Sequence, residues 1–252
     1  MKYKNRLFKH KKDESNFVFM IVVHRTSAFD YITKSVGYIR KVYPDSIIYV
    51  IDDKSPIPVT KSDIPGVHII TSEFKGAGEV LPYYYFWKQN LGTKMIMFHD
   101  SIFVYDKIPL ESTVAFKQLF SAQHTWDRGT YSEIVRLLSN MKRSDELLKR
   151  YNNNKEWNVV FGVMGICTWD FLNKIEKDFD AMTILSTHVS TRKHRMAVER
   201  VMGVLASFYV SENESSIFGD IHKYGWGLTY QQLINKEKNN KSRRLEKVWS
   251  GR

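Results

Sequence analysis

From Phe17 to Val23 the chain reads FVFMIVV, a continuous apolar and β-branched run with no polar position. Without alternation, the run predicts a strand buried on both faces, as in a parallel sheet. Past His24-Arg25-Thr26-Ser27 the period changes. Phe29, Ile32, Val36, Tyr38 and Ile39 recur near helical spacing up to Val42, with Ser27 or Thr26 as N-cap, and Tyr43-Pro44-Asp45 stops the helix. A second strand, Ile47 to Ile51, ends on Asp52-Asp53, and a polar, proline-containing stretch (54–65) leads to a third, Val67 to Thr71. The turn Phe74-Lys75-Gly76-Ala77-Gly78-Glu79 opens an aromatic helix through Tyr83, Tyr84, Phe86 and Trp87 to Leu91. A fourth strand, Lys94 to Phe98, ends on His99-Asp100-Ser101, with 102–105 as extended chain. Strands alternating with helices in this way predict an α/β fold with a mainly parallel sheet and right-handed crossovers.

The second half is less regular. Residues 129–151 read as one or two charged helices and 158–167 as an apolar strand containing Gly162 and Gly165. Further helices are expected over 168–178 and 193–210, the latter with Met196, Val201, Val204, Leu205 and Phe208 on one side. Phe218-Gly219-Asp220 leads to a His-Gly-aromatic loop, and no internal repeat or low-complexity linker marks a boundary. The expected organisation is a basic arm (1–15), one domain (16–235, with halves 16–106 and 107–235) and a basic tail (236–252).

At 252 residues, with 43% hydrophobic and 14% aromatic residues, the chain can bury a large core. The formal charge of +11 raises a nucleic-acid reading, but its distribution weakens it. Residues 1–14 carry net +4 and 236–252 net +5, leaving +2 for the remainder. Basic tails of this kind are solvated arms or weak polyanion contacts. The single cysteine, Cys167, sits in the apolar stretch FGVMGICTW and reads as a buried, inert thiol. No run approaches the length of a membrane span, and the basic N-terminus leads into a strand rather than a cleavable signal, so a soluble, cytoplasmic or otherwise intracellular protein is expected.

In a parallel α/β sheet, ligands bind beyond the carboxyl ends of the strands, where helix N-termini turn their N–H groups toward anions. Three such ends here carry His24-Arg25, Asp52-Asp53 and His99-Asp100 and should converge. Adjacent acids at strand ends also serve as turn or cap residues; their ordered recurrence is what favours a site. Gly76 and Gly78 would let a ligand approach the backbone, and Lys75 would meet a phosphate, although Gly-x-Gly before a helix is also a plain turn. There is no P-loop, no G-x-S-x-G elbow, no Cys/His zinc spacing and no G-x-G-x-x-G after the first strand, which argues against NTPase, hydrolase, zinc-site and dinucleotide-dehydrogenase readings.

The order of strand, helix, strand ending on Asp, glycine turn, helix, and strand ending in an Asp-containing tripeptide resembles the GT-A-type glycosyltransferases over residues 17–106, and more loosely to 222. The resemblance implies a single GT-A-like domain with a Rossmann-like central sheet, and transfer of a sugar from a UDP- or GDP-sugar to a hydroxyl on a glycan, protein or small molecule, with Mn²⁺ or Mg²⁺. It places the nucleoside contact on Asp52 or Asp53. The family's Asp-X-Asp motif, which holds the metal and the phosphates, falls on His99-Asp100-Ser101. Only Asp100 of that turn is a carboxylate. His99 or Ser101 would fill a second metal position, and His222, in competition with Asp220, a downstream one. An inverting member needs a base for the acceptor hydroxyl. The candidates are Glu199 and Asp127, with Asp170 a poorer third, and an ordinary Glu-Arg surface pair is the plain reading of Glu199-Arg200. Trp126, Trp169 and Trp226 would stack on sugar faces or fill the core. A GT-A-like module without catalysis, binding glycans or polyanions, is the alternative. A nucleotidyltransferase would need a basic Gly-rich loop directly after the first strand, and none stands there.

Overall fold

The computed structural model describes residues 17–26, 31–109, 115–125, 128–210, 216–239 and 243–249. Within them β1 (Phe17–Val23), β2 (Ile47–Asp52), β3 (His68–Thr71) and β4 (Lys94–His99) lie parallel in the order β3-β2-β1-β4. β1 is central, and its apolar run explains why: Phe19, Met20, Ile21 and Val23 are almost wholly buried, each contributing about 1.5–3 kcal/mol of transfer free energy. α1 (Tyr31–Val42) and α2 (Leu81–Gln89) form the crossovers where the periodicity predicts them. Beyond β4, the strand β5 (Ile102–Val104) leaves the main sheet. The sheet is completed by β9 (Gly165–Thr168), antiparallel to β4, and β6 (Phe116–Gln118), antiparallel to β9. The fold is therefore mixed α/β around a six-stranded, mostly parallel sheet. The strand order reverses direction at β1, with β2 on one side and β4 on the other, and a crevice opens at such a switch point.

The second half departs from expectation in four places. The strand read over 158–167 is broken into β8 (Val159–Val160), which pairs with β7 (Ser121–Ala122), a tight turn at Phe161–Val163, and β9. The break follows from Gly162 and Val163, both at positive φ (+59° and +54°). For a β-branched residue the latter costs about 1–3 kcal/mol and must be held by its surroundings. The charged region resolves into α3 (Tyr131–Ser139) and α4 (Ser144–Asn152), within the one or two helices expected there, and the next departure is α6 (Ala181–His188), which follows α5 (Trp169–Phe179) and which the periodicity passes over. The loop after Asp220 holds α8 (Ile221–Tyr224) and α9 (Tyr230–Lys238). Finally, residues 243–249, read as part of a solvated tail, contain β10 (Leu245–Lys247), which pairs antiparallel with β5. Leu233, Val248 and Phe103 form a second small core there, and the Tyr38 and Tyr105 hydroxyls both donate to the Glu237 carboxylate. Burial and that carboxylate push Tyr38 up to about 12.

α7 (Arg192–Ala206) is capped by Thr191, whose hydroxyl accepts from the His194 N–H. It presents Ala197, Val198, Val201, Val204 and Leu205 to the core, and Phe208 lies past its end. Gly203 in this helix faces the Asn158 backbone so closely that a Cβ would overlap the carbonyl oxygen. Gly203→Ala would gain about 1 kcal/mol from helix propensity alone. Overpacking against a rigid backbone reverses the sign, and a net loss of about 1–3 kcal/mol is expected in denaturant titration.

Candidate functional site

Beyond the carboxyl ends of β1, β2 and β4 lies a cleft of about 650 Å³. His24, Asp53, Lys75, Gly76, Gly78, His99, Asp100 and Glu199 line it, so most of the residues singled out from sequence converge. Each strand end delivers its residue by backbone pairing: the Asp53 N–H donates to the Val23 carbonyl and the Asp100 N–H to the Val22 carbonyl.

The two adjacent acids divide their labour. Asp52 turns away from the cleft, its carboxylate accepting the N–H groups of Ser55 (2.8 Å) and Val59 (3.1 Å), and so shapes the 54–59 loop. Asp53 lines the cleft and accepts the N–H groups of Gly76 (2.7 Å) and Gly78 (3.1 Å). Burial pushes the Asp53 carboxyl up, and those two donors, His24 and Arg195 offset part of the rise. The glycine turn is thus pinned, with Gly76 at φ +78°, where a Cβ would overlap the Ser190 carbonyl oxygen. His24 donates through Nδ1 to the Asp53 carbonyl at 2.9 Å, which fixes its tautomer. Arg25, expected at the nucleotide sugar, is directed elsewhere. Its guanidinium donates to the carbonyls of Ile57 and Pro58 and meets Asp63 at 3.2 Å, fastening the 54–65 loop.

The opposite wall comes from α7. Ser190, Thr191, Arg192, Arg195 and Glu199 line the cleft at the helix's N-terminal half. Arg195 donates to the Gly76 carbonyl (3.1 Å), and its Nε stands 3.2 Å from Glu79, whose carboxyl is pushed up by burial and held back by that guanidinium. Glu199 Oε1 accepts the Gly162 N–H at 2.7 Å, and the Gly162 carbonyl accepts from His99 Nε2 at 2.7 Å. The turn that breaks the 158–167 strand is therefore held from both sides by site residues. Asp127 and Trp126 lie outside the described residues, and Trp169 donates its indole N–H to the Trp87 carbonyl, away from the cleft.

The third wall is the returning C-terminal strand. Lys247 is buried (7% exposed), and its Nζ donates to Ser101 Oγ at 2.5 Å and to the Val248 carbonyl at 3.2 Å. Trp226 and Trp249, 38% and 51% exposed, stand at the rim. Sequence reasoning passes over Lys247, Arg192, Arg195, Glu79 and Trp249. For Lys247 and Trp249 the available signal was the apolar spacing of Leu245, Val248 and Trp249 within a charged segment.

The expected metal set does not assemble. Neither His222 nor Asp220 lines the cleft: the Asp220 carboxylate caps α8 by accepting the His222 N–H (2.8 Å), and His222 Nδ1 faces the same oxygen at 3.2 Å. His99 Nε2 is committed to Gly162, and Ser101 faces the Lys247 ammonium. No group of three or more His, Cys, Asp or Glu side chains among the described residues is placed to hold a metal ion. An ammonium on Ser101 also repels a second cation at that turn. The residues present do not fit a divalent ion.

No helix among the described residues is long and apolar enough to cross a membrane. No protein-family model and no curated protein matches the chain. Among solved structures, residues 1–349 of S. aureus TarS superpose at a TM-score of 0.41 with 12% identity, covering 75% of this chain and 56% of that one. The galactosyltransferase LgtC, in complex with donor and acceptor sugar analogs, superposes at 0.40 with 9% identity, covering 73% and 70%. The same TarS fragment in complex with UDP gives 0.39 and 11%, covering 77% and 55%. The chain thus spans a little over half the length of the TarS fragment. Of these, one is by its name a galactosyltransferase and another holds UDP, at identities near 10%.

Proposed function

We propose that the protein is a glycosyltransferase that moves a sugar from a UDP- or GDP-sugar to a hydroxyl of a glycan, protein or small acceptor. The observation that supports this most is one cleft, at the carboxyl ends of parallel strands, lined by four cationic side chains (Lys75, Arg192, Arg195 and Lys247) and by the carboxylate of Glu199. Cations beside a helix N-terminus suit a diphosphate. Asp53 and His24, at the β2 and β1 ends, take the nucleoside side, and the pinned glycine turn gives the donor a backbone surface to lie against. Glu199 takes the proton of the acceptor hydroxyl as its oxygen attacks the anomeric carbon. Trp226 and Trp249 offer flat apolar faces to the acceptor sugar.

A panel of nucleotide sugars, screened by thermal shift with and without Mn²⁺, tests this reading. At about a hundredfold excess over Kd, the cognate donor should raise Tm by about 5 °C or more. No shift with any member, in either condition, would overturn it. Salt-sensitive polyanion binding without nucleotide-sugar affinity would favour the binding module without catalysis.

A further inference from the structure

Lys247 is an unusual residue to find buried in the wall of a cleft. It comes from the far end of the chain, carried there by the pairing of β10 with β5 (Lys247 opposite Ile102) and by the Val248 N–H donating to the Ser101 carbonyl at 2.9 Å. Those two attachments fix it against the His99-Asp100-Ser101 turn. Burying an ammonium costs several kcal/mol unless its donors are met by acceptors. Here Ser101 Oγ and the Val248 carbonyl meet it, and the strand that carries it is secured by Leu233, Val248 and Phe103, and by Tyr38 and Tyr105 on Glu237. A strand, a second core and a buried charge thus combine to place one cation on Ser101, in the turn that carries Asp100. Of the other acids of the cleft, Asp53 accepts from the glycine turn, Glu79 meets Arg195, and one oxygen of Glu199 accepts from Gly162.

Resting on the transferase reading above, we propose that Lys247 is the fixed cation that receives the departing nucleoside diphosphate, in the place a divalent ion would occupy, and that transfer is independent of divalent metal. In the step, the acceptor oxygen forms a bond to the anomeric carbon while the bond from that carbon to the terminal phosphate oxygen of the donor breaks. The electron pair of the broken bond stays on that oxygen, where the Lys247 ammonium meets the developing charge. The acceptor proton passes to Glu199. Lys247 keeps its proton throughout, and its fixed positive charge offsets the negative charge that develops on the departing diphosphate. Arg195 and Arg192 on the facing wall complete the cationic surround. A charge preorganised in a partly closed site needs no reorganisation when the leaving group departs.

The experiment uses the full chain, UDP and GDP as probes, and the donor identified by thermal shift. With excess EDTA, the unaltered protein should bind its nucleoside diphosphate and turn over donor as it does with Mn²⁺. Lys247→Met should weaken diphosphate binding by about 10- to 100-fold and lower turnover by about 10²–10³-fold, with nucleoside binding retained and without rescue by Mn²⁺. Lys247→Arg should recover part of both. Loss of diphosphate binding and turnover in EDTA, restored by Mn²⁺, would overturn the proposal while leaving the transferase reading intact, as would a folded Lys247→Met protein that behaves like the unaltered one. The chelator arm needs no variant, so it decides the matter even if Lys247→Met does not fold. Failure of every nucleotide and nucleotide sugar to bind, with or without metal, would bring down the transferase reading and this proposal together.

Discussion

Glu199→Gln is expected to lower turnover by about 10²–10⁴-fold while leaving nucleotide binding unchanged. Glu199 sits on the second turn of α7, 15% exposed, with one oxygen on the Gly162 N–H and the other 3.9 Å from Arg200 Nη1. A glutamine has the same shape, and its carbonyl oxygen can still accept from Gly162, so the Phe161–Val163 turn keeps its anchor. The amide cannot take a proton from an attacking hydroxyl at neutral pH. The two roles of the residue, anchor and base, are thereby separated in one variant. Steady-state kinetics with the cognate donor and acceptor should show kcat falling with KM nearly constant and the acid limb of the pH profile lost. A Glu199→Gln protein with full turnover would reduce Glu199 to a positioning residue for Gly162, and the base would then have to be sought elsewhere.

The first half of the fold was legible because its signals are local. FVFMIVV needs burial on both faces and finds it in β1, and the strand ends at Asp52 and His99 follow from where the apolar runs stop. Convergence of His24, Asp53, the glycine turn and His99-Asp100 follows from topology alone, since parallel strands send their carboxyl ends to one side. The orientation of individual side chains was not legible. Asp52 and Asp53 are chemically identical, and only the register of β2 decides that the first faces the 54–59 loop and the second the cleft. In the second half the sequence misleads where tertiary contacts overrule local preference. GVMG reads as strand, yet Gly162 is bent to positive φ by bonds to Glu199 and His99, each distant in sequence. Lys247 was hidden for the same reason: a charged segment looks solvated until its partner strand, β5, is known. α9 had a readable signal, the Thr229/Gln232 capping box, which its short and polar helix obscured.

Asp53→Ala should cost stability and donor binding together, whereas Asp52→Ala should cost stability alone. Removing the Asp53 carboxylate leaves the N–H groups of Gly76 and Gly78 without their acceptor in a turn of positive φ (+78° and +50°), with the Arg195 bond to the Gly76 carbonyl still holding it from the other side. Each hydrogen bond to a charged group is worth about 1.5–3 kcal/mol. Burial of Asp53 opposes them, as its raised pKa shows, so the net loss expected at neutral pH is about 2–4 kcal/mol rather than the full sum. The sign of the pH effect follows. With the folded value above the ordinary 3.8, the stabilisation linked to its proton is complete below pH 3.8 and is lost as pH rises through the folded value. Asp53→Ala should flatten the stability curve over that interval. The same substitution frees the turn that carries Lys75 and receives Arg195 on the Gly76 carbonyl, loosening both cationic walls of the cleft at once. Denaturant titration and nucleotide calorimetry on the two alanine variants test the division. If Asp52→Ala weakens nucleotide binding as much as Asp53→Ala does, the cleft is not built on the glycine turn and Asp53 is a turn residue like its neighbour.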